Sequence, residues 1–349
     1  MSTIQANELK FKTFDYLKVN ETTVEIPAIF TQDFNLPSDK FVKIDEFKDD
    51  EYGVSKEALE INEEFGNYYR YINSKQNKKK EIIRLETTDL NTELFDTIDI
   101  VTEKGESQEV IIDYSSKGHK EKFRNSIIRI LGHEDSKTNV FIIQREGEES
   151  TVLESILVHG EEGANVSVNQ YEVGSSKLIS NYKANLIGEA SHAEVNSIYF
   201  GYNEHEIDLI YNIIHEGKES TSNIIINGAL KDNARKIFKS NLDFIEGSTG
   251  SVGNEEEFCI LLDSTVKSVS VPLLLCHEDD VLGNHAASAG RIDENILFYI
   301  MSRGFSMAEA EKLIIESRFA GAIDELQDDK LKEEIWNRVL EYSRKDINE

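Results

Sequence analysis

The stretch EGANVSVNQYEVG, residues 162–174, begins with small residues and continues as a run in which apolar and polar side chains alternate. An alternation with a period of two indicates a β-strand with two different faces. The stretch EASHAEV, residues 189–195, has the same pattern of small residues followed by an alternating strand. Further short runs rich in valine and isoleucine recur between about residues 95 and 275. This part of the chain is therefore expected to consist of strands.

The close spacing of these runs limits the number of possible β architectures. No helical pattern lies between them, whereas a sheet made of βαβ units needs a helix in every connection. A sandwich, a barrel and a solenoid of β-coils remain, and the repeated short strands with small-residue corners favour a β-helix. We therefore predict a mainly β fold with a β-helix core over residues 91–290.

The two ends of the chain have a different character. Residues 1–90 are polar and predict an N-terminal helical or mixed region, in which Ser55 is placed to cap a helix. Residues 291–349 predict a C-terminal helical domain. Asp293 stands where a helix N-cap belongs, and SMAE at 306–309 is a capping box that begins a second helix.

A third helical segment covers residues 328–344. Two aspartates begin it, where the helix dipole favours acidic side chains. Leu331, Ile335 and Trp336 share one of its faces. This face is either a stripe of the core or a docking surface for a partner, and the pattern leaves both open.

The composition excludes some classes of partner. The chain has 349 residues and a formal net charge of −28. Nucleic acids and anionic membrane surfaces attract clusters of lysine and arginine, so we expect neither as a partner. No apolar run has the length of a membrane span or the form of a signal peptide. Two cysteines do not make a disulfide framework, and we predict a reducing, cytoplasmic compartment.

Motifs of nucleotide binding and hydrolysis are missing from the sequence. It contains no glycine-rich phosphate loop, no G-x-S-x-G, no H-E-x-x-H and no C-x-x-C. We therefore predict no catalytic residue and no enzyme. A process driven by a nucleotide would need another subunit to bind that nucleotide.

A group of side chains near the end of the strand-rich region has the chemistry of an iron site. Thiolate and imidazole are natural ligands of iron and iron–sulfur clusters. The group consists of Cys259, Cys276, His277, Glu278, Asp279, Asp280 and His285. Its spacing matches no closed metal site, and the surroundings of both cysteines are more typical of small buried apolar residues than of ligands. A turn histidine with a purely structural role is the corresponding alternative for His285.

The end of this region resembles a known family. The stretch DDVLGNHAASAGRIDENILFYIMSRGFSMAEAEKLI, residues 279–314, is similar to the C-terminal signature of the SufB/SufD family, the scaffold components of SUF iron–sulfur cluster assembly. YNIIHEGKESTSN at 211–223 resembles the family's histidine-containing strand. TFDYLKVNE at 13–21 looks like the beginning of a SufD-type chain.

The resemblance implies a right-handed parallel β-helix and a set of partners. Family members pair through their β-helices, here with a SufB-like scaffold, and bind the ATPase SufC through their C-terminal helices. The implied docking residues in these helices are Phe298, Tyr299, Arg303, Leu313, Ile314 and Phe319. His285 falls on a histidine at the interface between scaffolds. It would hold iron or an iron–sulfur cluster transiently, shared with the partner.

Departures from the family pattern suggest a SufD-like chain. Relatives place cysteine or glutamate where this chain has Gly283 and Ala286. The SufB cluster cysteine aligns nearer to Glu257 than to Cys259, so these two and Cys276 remain weaker candidates. The expected function is a non-catalytic scaffold. Alternatives are a divergent SufB-like paralogue, a scaffold that pairs with itself when alone, and, less favoured, a carbohydrate-active β-helix enzyme with a histidine base.

Overall fold

The computed structural model describes residues 2–28, 34, 36–48 and 50–343. It opens with two strands, β1 (Ser2–Ala6) and β2 (Thr22–Ile26), which pair antiparallel. Helix α1 (Lys56–Phe65) follows, and the Ser55 hydroxyl accepts a hydrogen bond from the Ala58 amide, as its N-cap position predicts. Short 3₁₀ turns lie at Asp15–Leu17 and Asp45–Phe47.

Sixteen strands then follow one another along the chain. They are β3 (Tyr68–Asn73), β4 (Lys80–Thr87), β5 (Glu93–Thr102), β6 (Ser107–Ser116), β7 (Lys122–Gly132), β8 (Lys137–Arg145), β9 (Ser150–Gly160), β10 (Asn165–Glu172), β11 (Lys177–Leu186), β12 (His192–Gly201), β13 (Glu206–His215), β14 (Thr221–Leu230), β15 (Arg235–Phe244), β16 (Val252–Leu261), β17 (Lys267–Cys276) and β18 (Leu282–Arg291). Odd-numbered strands form one sheet of eight, which we call the odd sheet. Even-numbered strands form the other, the even sheet.

Both sheets are parallel and in register. Each strand therefore pairs with the strand one coil earlier and one coil later, as β10 does with β8 and β12. Two strands make one coil, and the coils stack on a common interior, the lumen. The mainly β fold and the β-helix are confirmed.

The corner that leads from the odd to the even sheet explains the small residues in the sequence. Asp135, Gly163, Ala190 and Glu219 occupy this corner in successive coils, each with a positive φ between 54° and 64°. Backbone hydrogen bonds link one corner to the next, for example from the Gly163 amide to the Glu189 carbonyl. Glycine and small or polar residues adopt this conformation at the least cost, so a corner is marked by them.

The N-terminal part of the chain covers the outer face of the odd sheet. Apolar residues of β1, β2 and α1 pack there against Phe95, Phe123 and Leu153. The described residues before β3 form two strands, one α-helix and two short 3₁₀ turns, so this part of the chain is mixed and not mainly helical. Strands β3 and β4 already belong to the stacked sheets, although they lie before residue 91. The division into three domains stays a prediction.

Three helices follow β18. They are α2 (Glu294–Met301), α3 (Met307–Glu325) and α4 (Asp329–Ser343). The Asp293 cap and the Ser306–Glu309 capping box form as predicted. No helix within the described part of the chain is long and apolar enough to cross a membrane.

Helices α3 and α4 fold back over the outer face of the even sheet. Their apolar residues pack against residues of strands β6 to β16, from Ile111 to Ile260. Tyr171 donates a 2.8 Å hydrogen bond to the Ala322 carbonyl, and Arg145 forms a 3.2 Å ion pair with Glu334. Leu331 and Ile335 are buried in this layer, and Trp336 packs against it. This face of α4, for which the sequence allowed either a core or a docking role, is therefore a stripe of the core.

Candidate functional site at the open end of the β-helix

The last coil leaves both sheets with a free edge. Strands β17 and β18 are terminal in their sheets, and no described strand pairs with their far sides. Most residues of β18 are exposed, and they are small and uncharged between Asn284 and Gly290 apart from His285. Natural sheets ordinarily protect such an edge with charges, proline or a covering segment.

The side chain of His285 faces the lumen. Its neighbour Asn284 donates to Asn254 across the outer face, at 3.0 Å, and successive residues of a strand point to opposite faces. Gly283 agrees with this direction, because a Cβ at this glycine would lie 2.6 Å from Cδ1 of the lumenal Leu274. His285 is exposed because no further coil covers β18.

Glu255 lies directly beneath His285. The two residues are register partners in β16 and β18, so both point into the lumen. Glu255 is only 1% exposed, and neither carboxylate oxygen has a hydrogen-bond partner among the described residues. Burial raises the pKa of this carboxyl to about 7, and the charge of Glu257 adds to the rise. The Ser240 hydroxyl faces the carboxylate and opposes the rise, although the two groups do not reach hydrogen-bonding geometry.

Glu257 faces the lumen two residues further along β16, and its carboxylate is fully engaged. It forms a buried ion pair with Lys236 and accepts hydrogen bonds from Ser270 at 2.5 Å and Tyr199 at 3.1 Å. A metal ion could take this carboxylate only by displacing Lys236, which would leave a buried ammonium group without its partner.

The two thiols lie in different environments. Cys259 is buried in the lumenal core, and burial raises the pKa of its thiol. Cys276 is exposed at the end of β17, and His277 follows it at the corner, 3.7 Å from Asp243. The structure thus brings His285 and Glu255 together and places the cysteines elsewhere. Within residues 2–28, 34, 36–48 and 50–343, no three His, Cys, Asp or Glu side chains converge as a metal site.

Sequence reasoning missed Glu255. The signal was present in the run NEEEFCI, residues 254–260, where strand alternation turns two of three adjacent glutamates inward. Which of them meets His285 depends on the length of the coil between the strands. That length varies along the chain, and the sequence pattern does not determine it.

The residues implied for docking divide into two groups. Phe298 is 75% exposed on α2, next to Tyr299, and the Arg303 guanidinium lies 5.0 Å from the Tyr299 ring centre. Phe319 on α3 is fully buried against the even sheet, and Ile314 packs partly against the same layer. Leu313 is half exposed. The apolar surface open to a partner is therefore centred on α2.

A second group of buried charges lies in the middle of the lumen, and sequence reasoning missed it too. Arg124 is completely buried; it contacts Glu146 at 2.8 Å and Glu154 at 3.2 Å, and its guanidinium lies 3.7 Å from the Tyr114 ring centre. Glu172 belongs to the same group. Burial, assisted by Glu154, raises the pKa of Glu172 well above its ordinary value.

His215 has a structural environment. Its two ring nitrogens contact the hydroxyls of Ser220 at 2.8 Å and Ser222 at 2.9 Å, and its ring stacks on Phe244. Burial lowers its pKa to about 4. With both nitrogens engaged and the ring enclosed, this histidine gives no support to the enzyme alternative.

The fold and the site define a parallel β-helix whose last coil has free edges and a lumenal histidine. The family model described as "SUF system FeS cluster assembly, SufBD core domain" matches residues 84–318. The chain belongs to the SufBD family of iron–sulfur cluster assembly proteins.

Three curated relatives illustrate the likeness. The iron–sulfur cluster assembly protein SufD of Bacillus subtilis is 33% identical over 157 residues, which are 45% of this chain and 36% of the relative. A SufBD family protein of Mycobacterium bovis is 23% identical over 56% of this chain and 23% of the relative. One from Staphylococcus saprophyticus is 25% identical over 55% of this chain and 41% of the relative. The matched part thus covers between about a quarter and two fifths of these proteins.

Proposed function

We propose that this chain is a SufD-like, non-catalytic scaffold subunit of an iron–sulfur cluster assembly complex. The observation that carries the proposal is the free, uncharged edge of the last coil with His285 turned into its lumen. Family membership supplies the context. The partners, the cargo and the compartment are the finer parts of the proposal, and each rests on its own feature.

The free edge suits a second β-helix. Small side chains along β18 allow another backbone to approach closely, and the unpaired backbone groups can continue their ladder in a partner strand. A SufB-like scaffold is the proposed occupant, and a second copy of this chain takes its place when the chain is alone. His285 then lies between the two subunits, where it binds iron or a nascent cluster transiently.

The exposed helix α2 suits a different partner. Its surroundings form an apolar patch that exceeds the scattered apolar residues of an ordinary surface. The exposed members are Ile296, Phe298, Tyr299, Met301, Phe305 and Met307. We assign this patch to a SufC-like ABC ATPase, which binds the nucleotide for which this chain has no motif. Both cysteines are unpaired, in keeping with the cytoplasmic compartment predicted above.

A co-purification experiment tests the scaffold role. The chain is co-expressed with the SufB-like and SufC-like proteins of its organism, and the complex is isolated through a tag on this chain. Replacing the small outward residues Ala286 and Ser288 by glutamate should abolish recovery of the SufB-like subunit while the ATPase remains. Ser107→Glu, at an exposed position in the first coils of the even sheet, is the control. Undiminished recovery with the edge variant would overturn the pairing mode.

A second assay addresses the cargo. The complex is reconstituted with iron and sulfide, and cluster formation is followed by visible absorption. His285→Ala should abolish cluster formation with an unchanged melting temperature, because the side chain is exposed and packs against little. Normal cluster formation by His285→Ala would refute the role of this histidine.

A further inference from the structure

The carboxylates of the lumen differ in whether a cation faces them. Glu146 and Glu154 contact Arg124, and Glu257 contacts Lys236. Glu255 is as deeply buried as these, but its two oxygens have no hydrogen-bond partner among the described residues. A buried carboxylate without a partner is costly, and a bound cation is one of the few groups that can satisfy it.

The position of Glu255 allows it to act together with His285. Register partners on neighbouring strands are about 4.8 Å apart, and both side chains point to the same face. A glutamate and a histidine at this separation can place one oxygen and one nitrogen on a common ion at ordinary ligand distances of about 2.0–2.2 Å. The free edge of β18 leaves the ion open to water and to a partner subunit.

The donor atoms favour a single divalent ion over a cluster. Imidazole nitrogen and carboxylate oxygen suit divalent transition-metal ions, Fe²⁺ and Mn²⁺ among them, whereas iron–sulfur clusters are held mainly by thiolates. Fe²⁺ is chosen among these ions because of the proposed role in iron–sulfur cluster assembly. Of the two thiols, Cys259 lies in the buried core beyond Glu257, and Cys276 lies at the far end of β17. This chain therefore offers oxygen and nitrogen at its open end.

We propose that Glu255 and His285 form a two-ligand half-site for a single Fe²⁺ ion, completed by water in the isolated chain and by the partner's edge in the complex. This inference rests on the proposed scaffold function for its biological setting and makes its cargo more specific. The chain delivers ferrous iron to the shared interface. Sulfur and any thiolate ligands come from the partner subunit.

Metal titration of the isolated full chain tests the half-site. Under anaerobic conditions Fe²⁺ is titrated calorimetrically, and Mn²⁺ binding is followed by the loss of its free-ion paramagnetic resonance signal. Wild type should bind one ion per chain. Glu255→Gln and His285→Gln should each raise the dissociation constant about tenfold or more.

The control is Glu256→Gln. Glu256 lies on the same strand, one residue further, with an exposed side chain on the outer face. It removes the same charge but should leave the dissociation constant unchanged. Melting temperatures with and without Mn²⁺ give an independent readout, since a ligand that binds the folded state raises the melting temperature in proportion to its affinity. Because His285 is exposed, its variant keeps the test valid if Glu255→Gln destabilises the fold.

The outcomes separate the half-site from the scaffold function. Absence of one-to-one binding in wild type, or equal affinity of Glu255→Gln and Glu256→Gln, would overturn the half-site, and the co-purification of partners would be untouched by that result. Loss of ion binding in both lumenal variants, together with failure to recover any SufB-like or SufC-like partner, would support the half-site and refute the scaffold assignment.

Discussion

Glu172 is a buried acidic side chain in the lumen that lacks a full positive counter-charge, and its pKa is raised as a result. Four carboxyl groups, those of Asp96, Glu146, Glu154 and Glu172, share the single guanidinium of Arg124 in the middle of the lumen. Burial raises the pKa of Asp96 to about 6, and it also raises the pKa of Glu172 well above its ordinary value. The folded state therefore holds protons that the unfolded chain releases.

Replacing Glu172 by glutamine tests this balance. A raised carboxyl pKa contributes stability that is complete below the unfolded pKa, near 4.5, and is lost as the pH rises through the folded pKa. Glutamine cannot ionise, so Glu172→Gln should not lose stability as the pH rises through this pKa. At about pH 8 the variant should therefore have a free energy of unfolding about 1 kcal/mol or more above that of wild type. Urea unfolding at several pH values measures the effect, and parallel pH profiles of the two proteins would contradict it.

His215 should give the opposite pH dependence. Its folded pKa of about 4 lies below the ordinary value of 6.5, so its contribution is complete above 6.5 and is lost as the pH falls towards 4. His215→Gln should flatten this acid limb and cost about 1–3 kcal/mol at neutral pH, because two hydrogen bonds to serine hydroxyls are disturbed. The exposed His119→Gln should do neither. Equal acid profiles for wild type and His215→Gln would refute the assignment.

At the scale of elements, the C-terminal helices differ in how much of their apolar surface the even sheet covers. Helix α3 packs one side on the even sheet, with Phe319 completely buried, whereas α2 presents Phe298 to solvent. Both residues are phenylalanines in the same part of the sequence. Their periodicity alone does not reveal which of them the sheet covers, because the covering depends on how the helices fold back.

A matched pair of alanine substitutions tests whether the exposed helix has the docking role proposed above while the buried one is structural. Phe319→Ala should destabilise the chain by about 3–5 kcal/mol, because it opens a cavity in a packed layer. Phe298→Ala should change stability by no more than about 0.5 kcal/mol and should weaken association with the ATPase. Denaturant unfolding and co-purification are the two measurements. If Phe298→Ala were strongly destabilised and still recovered the ATPase, the proposed docking role of α2 would be refuted.

At the scale of the whole molecule, the sequence predicts the strands better than it predicts their contacts. Alternation and small corners are local, so the stretch at 162–174 is recognisable as strand and corner. The sequence places strands β3 and β4 in a helical or mixed region, because polar and lysine-rich neighbours obscure their alternation. The meeting of Glu255 and His285 requires the register between coils, and this register depends on the length of every corner between them.

The fold-back of α3 and α4 has a consequence for how the stack can move. In a stacked-coil protein each coil touches only its neighbours, so cooperativity is close to one-dimensional and the ends fray first. Helices α3 and α4 pack across strands β6 through β16 and so link these strands to one another. No residue of β18 belongs to this apolar layer between the helices and the even sheet. Within the described residues the layer reaches Ile292, directly after β18, so the last strand is held at its end but not along its length. The strand that carries His285 is one of the two terminal strands of the even sheet, and α2 begins three residues after it. A partner that moves α2 would therefore pull directly on the end of the strand that carries His285.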